Sequence, residues 1–391
     1  MTYTPPTVNY SATINGTYTT LTGVQSVTIS RGRQRFQDNF QQSSCVIELI
    51  PATSYALELA IGQFIDVRDT NSSSSTAYFC GAITDIQRNY SIPYNGISGY
   101  APGDRITITA SGSTGALGKQ SYSNLSINNT TCTNSINGVA FDSGIYATEI
   151  FFTNIRNSII TFTGGAFDLV NQLLRTCQLL IDDLDTKRVN VGFGAAARAF
   201  VALLFPAGQG NVNRVFSDAG TAGAFKFSGL EYVSSVQDAF TQVQVVPEGL
   251  ATQTASTGSA PYNTLVYNTY NISTSDAASL AGYILATQNI ATATPYSITT
   301  NTMTAPTCTQ ISALSTTAIF DPGTDKSMNL GAGVTVLFRG TTALAEIQGI
   351  NTVFYPDYAQ VQLYLSPSLG TPFTLDSSTF GVLNTNRLGY P

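Results

Sequence analysis

The side chains able to do chemistry in this sequence are carboxylates, five cysteines and one dense run of arginines; histidine and tryptophan are absent. Without an imidazole no Ser-His-Asp or Cys-His system can be assembled, and the commonest general base is missing. Cys45, Cys80, Cys132, Cys177 and Cys308 are odd in number, widely spaced and form no C-x-x-C pair. That spacing excludes the usual zinc and iron sites and predicts buried free thiols in place of a disulfide framework. Asp182-Asp183-Leu184-Asp185 offers oxygen ligands for calcium but lacks the glycine and distal Glu of an EF-hand loop, so a helix-to-strand turn is expected there. Two carboxylates flanking a glycosidic bond would suit a depolymerase. The sequence pairs none, and the missing Trp removes the commonest sugar-stacking platform. Neither a phosphate-cradling G-x-x-x-x-G-K-[ST] loop nor a G-x-G-x-x-G between strand and helix is present. The expectation is a protein that is no enzyme and holds no cofactor and no metal.

The arginines are the remaining candidates. Arg31, Arg33 and Arg35 fall within five residues of a chain with only 17 Lys plus Arg. They are framed by Gln25 to Ser30 and Cys45 to Ile50, both alternating like strands. Two readings stand: a solvated loop, or a polar arm docking against a neighbouring chain, since Arg makes forked, selective contacts with carboxylates and carbonyls. On the second reading, Arg31, Arg33 and Arg35 are inter-subunit contacts.

The elements around them read as mainly β with a few helices. Gly62 to Val67, Tyr78 to Ile86 and Arg105 to Ala110 form three strand patterns. The hairpin tip Asn71 to Thr76 and a Gly/Pro loop from Pro93 to Gly103 join them. A shortened echo returns late: Gly333 to Phe338, Ala343 to Phe354 with Gly349 in the place of Gly81, and Ala359 to Leu365. Two related small antiparallel β-barrel modules are therefore expected at the chain ends, around a mixed α+β middle. The expected divisions are 1–115, 116–272 and 273–391. Within the middle, residues 112–163 are weakly patterned, with strands expected at Glu149 to Phe152 and Ile159 to Phe162. Ala166 to Leu180 then carries a helical apolar stripe through Phe167, Val170, Leu173 or Leu174 and Cys177. A second short helix is expected over Leu230 to Ala239, and a clearer one over Ser275 to Ala286, capped by Ser275 or Ser273.

Composition narrows the setting. The 391 residues are 43% hydrophobic but only 10% charged, against about a quarter in an ordinary globular protein. Thr, Ser and Asn replace charge, which suits strands, polar turns and a surface mated to other subunits. The formal net charge of −6 argues against a basic phosphate-holding face. Met1 to Pro6 shows no secretory leader, and no apolar run reaches bilayer length. The expectation is a chain made in a cytoplasm, with no membrane insertion.

Taken in order, the motifs resemble the minor tail or tail-hub proteins of long-tailed bacteriophages. The resemblance rests on Arg31 to Arg33, Gly62-x-x-Ile65-x-Val67, Phe79-x-Gly81-x-Ile83 and Arg105 to Ser111. At the close of the chain it rests on Gln348-Gly349-Ile350, Leu365-Ser366-Pro367, Leu375-Asp376, Gly381 to Asn384 and Arg387 to Tyr390. The chain departs from the pattern at Pro51-Ala52-Thr53, where an acidic turn is usual, and at Tyr358, where such proteins usually carry Trp. The resemblance implies a homotrimeric hub, similar to the baseplate hub of contractile-tailed phages. Two barrel domains per chain there give three subunits a sixfold-like ring that joins a hexameric tail tube or distal tail ring to tip or fibre proteins. It also implies a place at the tail tip of the virion and DNA passing through the lumen without specific binding. The alternative from another class is a receptor- or glycan-binding tail adhesin, for which 20 Tyr would supply aromatic platforms.

Overall fold

The computed structural model describes residues 3–13, 17–51, 59–68, 77–91, 102–144, 146–149, 156–185, 188–193, 214–219, 221, 224–233, 240–288, 294–304, 330–331 and 333–367. The N-terminal strands are β1 (Thr7–Ser11), β2 (Thr19–Thr20), β3 (Val24–Gly32), β4 (Gln41–Leu49), β5 (Phe64–Arg68), β6 (Ala77–Asn89) and β7 (Arg105–Ser111). The middle holds α1 (Thr114–Lys119), β8 (Ser121–Ile127), α2 (Cys132–Asp142), β9 (Tyr146–Glu149), β10 (Ile160–Gly165) and α3 (Ala166–Cys177). It continues through β11 (Leu179–Asp185), β12 (Arg188–Phe193), β13 (Arg214–Ser217), β14 (Gly229–Val233), β15 (Gln242–Pro247), β16 (Gln253–Ser256) and β17 (Thr264–Thr269). Last come α4 (Thr274–Gln288), β18 (Thr294–Asn301), β19 (Gly333–Phe338), β20 (Thr341–Phe354) and β21 (Ala359–Pro367). The chain is mainly β.

The strands of both ends share one 13-stranded sheet, in the order β14-β18-β21-β20-β3-β4-β7-β6-β5-β1-β2, with β19 on β20 and β13 on β19. Among the described residues this path has two ends, β14 and β2, and does not close into a barrel. The late three-strand echo is part of a larger repeat. In the first copy the spatial order is β5-β6-β7-β4-β3, and in the second it is β19-β20-β21-β18-β14. If the strands of each copy are lettered A to E in chain order, both read C-D-E-B-A, with every pairing antiparallel. The second copy therefore begins at β14, inside the stretch read from sequence as the middle. The small sheet β16-β15-β17 and helix α4 are inserted between its first two strands.

Register fixes which residues correspond. β6 carries an extra residue, Thr84, opposite β7, and β20 carries an extra residue, Gln348, opposite β21. Just before each bulge the same turn recurs: the Gly62 amide donates to the Ile83 carbonyl at 2.9 Å, and the Gly331 amide to that of Ile347 at 2.8 Å. Both glycines have positive φ, 89° and 78°, where a side chain would be strained. Ile83 thus matches Ile347, and Gly349 matches Asp85. The expected match of Gly349 with Gly81 is off by the four residues that only ladder register reveals.

Among the described residues three apolar cores back the sheets. The N-terminal copy encloses Val27, Ile29, Ile47, Ile65, Phe79, Ile83 and Ile108. The second copy shares its core with α2, α3 and β10, through Ile347, Ile350, Leu363, Leu169, Val170 and Leu173. A smaller core lies between α4 and β15–β17. Helix α3 follows the predicted stripe, with Val170, Leu173, Leu174 and Cys177 buried, and ends at Gln178 in the left-handed conformation. Helix α4 is capped by Ser273, whose hydroxyl accepts the Asp276 amide at 3.0 Å.

Other local expectations fail for identifiable reasons. Leu230 to Val233 is strand, because pairing with β18 overrides the helical spacing; residues 234–239 lie outside the described residues. The acidic run Asp182 to Asp185 extends β11 instead of turning. The strand expected from Glu149 ends at Glu149 in β9, and residues 150–152 lie outside the described residues. Helices α1 and α2 were hidden by their Ser, Thr, Asn and Gly content. Four cysteines are free thiols, three buried and Cys80 half-buried. Cys308, the tip 71–76, most of the loop 93–103 and the closing motifs beyond 367 lie outside the described residues.

Candidate functional site

The arginine run sits where the two copies meet. The long strand β20 uses one edge twice: Thr341 to Glu346 pair with β19, and Gly349 to Phe354 pair with β3. Gly32 lies directly opposite Gly349 in that second ladder. A Cβ on Gly349 would run into the carbonyl oxygen of Arg33, and one on Gly32 into that of Gln348, so both positions need glycine. The bulge at Gln348 turns its polar groups toward the arginines.

Arg33 leaves the end of β3 and turns inward, only 8% exposed. Its amide donates to the Gln348 carbonyl at 2.9 Å and its Nε to Gln348 Oε1 at 2.8 Å. Gln348 in turn donates through Nε2 to Ser366 Oγ on β21 at 2.8 Å. The guanidinium lies over the rings of Phe40 and Phe36, 4.4 and 4.9 Å from their centres. Burial pushes its pKa below the usual arginine value; Tyr267 and the buried Glu346 act in the other direction. The group stays ionised.

Helix α3 fixes the other side of the loop. Asn171 accepts the Phe40 amide at Oδ1, 2.9 Å, and donates to the Phe40 carbonyl at 3.3 Å. Arg175 Nη2 donates to the Gln37 carbonyl at 2.9 Å, and its guanidinium lies 5.3 Å from the Tyr267 ring. Phe36 joins the core beneath α4. The loop from Arg33 to Phe40 therefore ties together both copies of the repeat, α3 and the inserted sheet.

The three predicted arginines separate. Arg31, 6% exposed, faces Ile350 across the β3·β20 ladder, and Arg33 is buried as described. Arg35 is exposed; its amide donates to Asp38 Oδ2 at 3.0 Å, and its guanidinium lies 5.9 Å from the Tyr296 ring. Gln348 stood out only as part of a closing motif and Asn171 and Arg175 only as helix residues; nothing in their spacing ties any of them to residue 33. Among the described residues no three His, Cys, Asp or Glu side chains gather as a metal site, and no helix is long and apolar enough to cross a membrane. The arrangement is a polar lock inside a sheet, and its chemistry is recognition of one strand by another.

No family model matches the sequence, and no curated protein matches it. Solved structures do match. The tail protein from Neisseria meningitidis MC58 aligns over 93% of this chain and 97% of its own, at TM-score 0.61 and 12% identity. The 43 kDa tail protein of prophage MuSo2 from Shewanella oneidensis aligns over 94% and 100%, at TM-score 0.58 and 15% identity. The chain has the fold of phage tail proteins. Prophage tail protein gp18 from Listeria monocytogenes EGD-e extends the likeness, over 92% of this chain and 94% of its own, at TM-score 0.51 and 10% identity. At such identities the likeness is one of fold, spanning both copies of the repeat and the region between them.

Proposed function

We propose that this chain is a structural component of a phage tail, a homotrimeric hub at the tail tip that joins the hexameric tube or distal tail ring to tip or fibre proteins. The observation that carries the proposal is the doubled C-D-E-B-A unit, fused through β3 and β20 into one sheet. A chain bearing two such units gives three copies six near-equivalent modules, which is what a threefold part needs to meet a sixfold one. The fold shared with phage tail proteins supports the setting. The role asks for no catalysis and no cofactor, and the partners are other tail proteins. With a formal net charge of −6, acid facing the channel would let DNA pass without binding. Arg35, exposed beside the buried pair, is the arginine of the run suited to an inter-subunit contact.

The test is gene deletion with electron microscopy of the resulting particles. The hub reading expects tails that stall or lack a tip, restored by the wild-type chain, and purified protein that neither binds host cells nor blocks infection. Intact tails that fail only to adsorb would show an adhesin instead.

A further inference from the structure

We propose that one subunit joins the next by strand addition, the outer edge of β14 pairing with the edge of β6 from Asp85 to Asn89 in a second copy of the chain. The inference rests on the ring reading above and names the surfaces that would close it.

The argument is internal to the molecule. Strand A of the first copy, β3, has both edges filled, by β4 and by the C-terminal half of β20. Strand A of the second copy, β14, has one filled, by β18; among the described residues its outer edge ends the sheet. Strand D shows the complementary difference. In β20 the half after the bulge receives β3, whereas in β6 only Ala77 to Ala82 receive β5, and no described strand pairs with that edge beyond the bulge. Side chains follow suit. Ile350 and Thr352 are 2% and 1% exposed beneath β3, while their counterparts Ile86 and Arg88 are half-buried and exposed, and Asp85, Gln87 and Asn89 are exposed. The chain thus contains one completed A-to-D junction and both halves of a second.

Those halves cannot be satisfied by each other within one subunit without folding the sheet back on itself, since they lie on opposite sides of the completed junction. They can be satisfied head to tail between copies, repeating the internal junction and its rotation until a ring closes. The completed junction also supplies the register. Thr28 and Glu231 occupy the same place against strand B, opposite Val46 and Ser297, and Thr28 stands opposite Val353. Val353 corresponds to Asn89, so Glu231 of one subunit is set opposite Asn89 of the next. Directly opposite each other, Glu231 and Asn89 then carry their side chains on the same face of the joined sheet, and both are exposed in the single subunit.

The test uses the full chain carrying Asn89→Cys with Glu231→Cys, both exposed positions, set against each single variant and against Asp85→Cys with Glu231→Cys. Position 85 lies about 13 Å along the strand from 89, too far for a disulfide in this register. Mild oxidation of the 89/231 pair is expected to give reducible covalent dimers and trimers on a denaturing gel, with little from the control pair or the single variants. Light scattering is run in parallel. Trimers in solution with no cross-linking at 89/231 would overturn strand addition while leaving the ring reading standing. Equal cross-linking of both pairs would overturn the register, and a monomer at every concentration would overturn both.

Discussion

At the residue scale, the difference between Arg33 and Arg35 is one of burial, and it makes a prediction. Removing the Arg33 side chain leaves Gln348 Oε1 without its donor and a gap between Phe36 and Phe40. Arg33→Ala is expected to lower unfolding free energy by about 3 kcal/mol in denaturant titration, from the unpaired buried acceptor and the lost packing together. Arg35→Ala, at an exposed position, is expected to cost less than about 0.5 kcal/mol. Equal effects would mean that the lock does not form. Burial also pushes the Cys45 thiol well above its ordinary value. Its alkylation in the native protein at pH 8 is therefore expected to be negligible until denaturant is added. A free thiol at residue 45 was legible in the sequence from its place in an alternating strand. The inward turn of Arg31 and Arg33 was not, because charge predicts exposure unless partners are known, and Gln348 is 315 residues away.

At the element scale, the junction of β3 and β20 depends on two glycines placed face to face. Gly349→Ala is expected to destabilise by about 2–3 kcal/mol through overpacking against the Arg33 and Arg31 carbonyls. Gly62→Ala meets open space and suffers only its positive φ, at about 1 kcal/mol. Thermal unfolding of both variants checks the ranking, and the reverse order would contradict the close approach. Ser273→Ala is expected to cost about 1 kcal/mol through loss of the α4 cap. Strands and helices with a strong period, such as β7, β21 and α3, could be read from sequence. Strand β14 could not: it is short, its spacing also fits a helix, and only the ladder to β18 decides between them.

At the scale of the whole molecule, sequence pattern reached all five strands of the first copy but only the last three of the second. The first two strands of the second copy stand apart in the chain, at Gly229–Val233 and Thr294–Asn301, with α4 and a small sheet between them. That insertion hid two of the five strands of the second copy from any reading that looks for contiguous echoes. What the full repeat adds is direction, since one junction is made inside the chain and, among the described residues, the strand edges matching its two halves lie on opposite sides of it. The most direct measurement is the rotational symmetry of the purified protein in electron-microscopy class averages. Three chains in a ring of six near-equal lobes is the predicted result; a sixfold ring of six chains, a twofold dimer or an isolated subunit would contradict it.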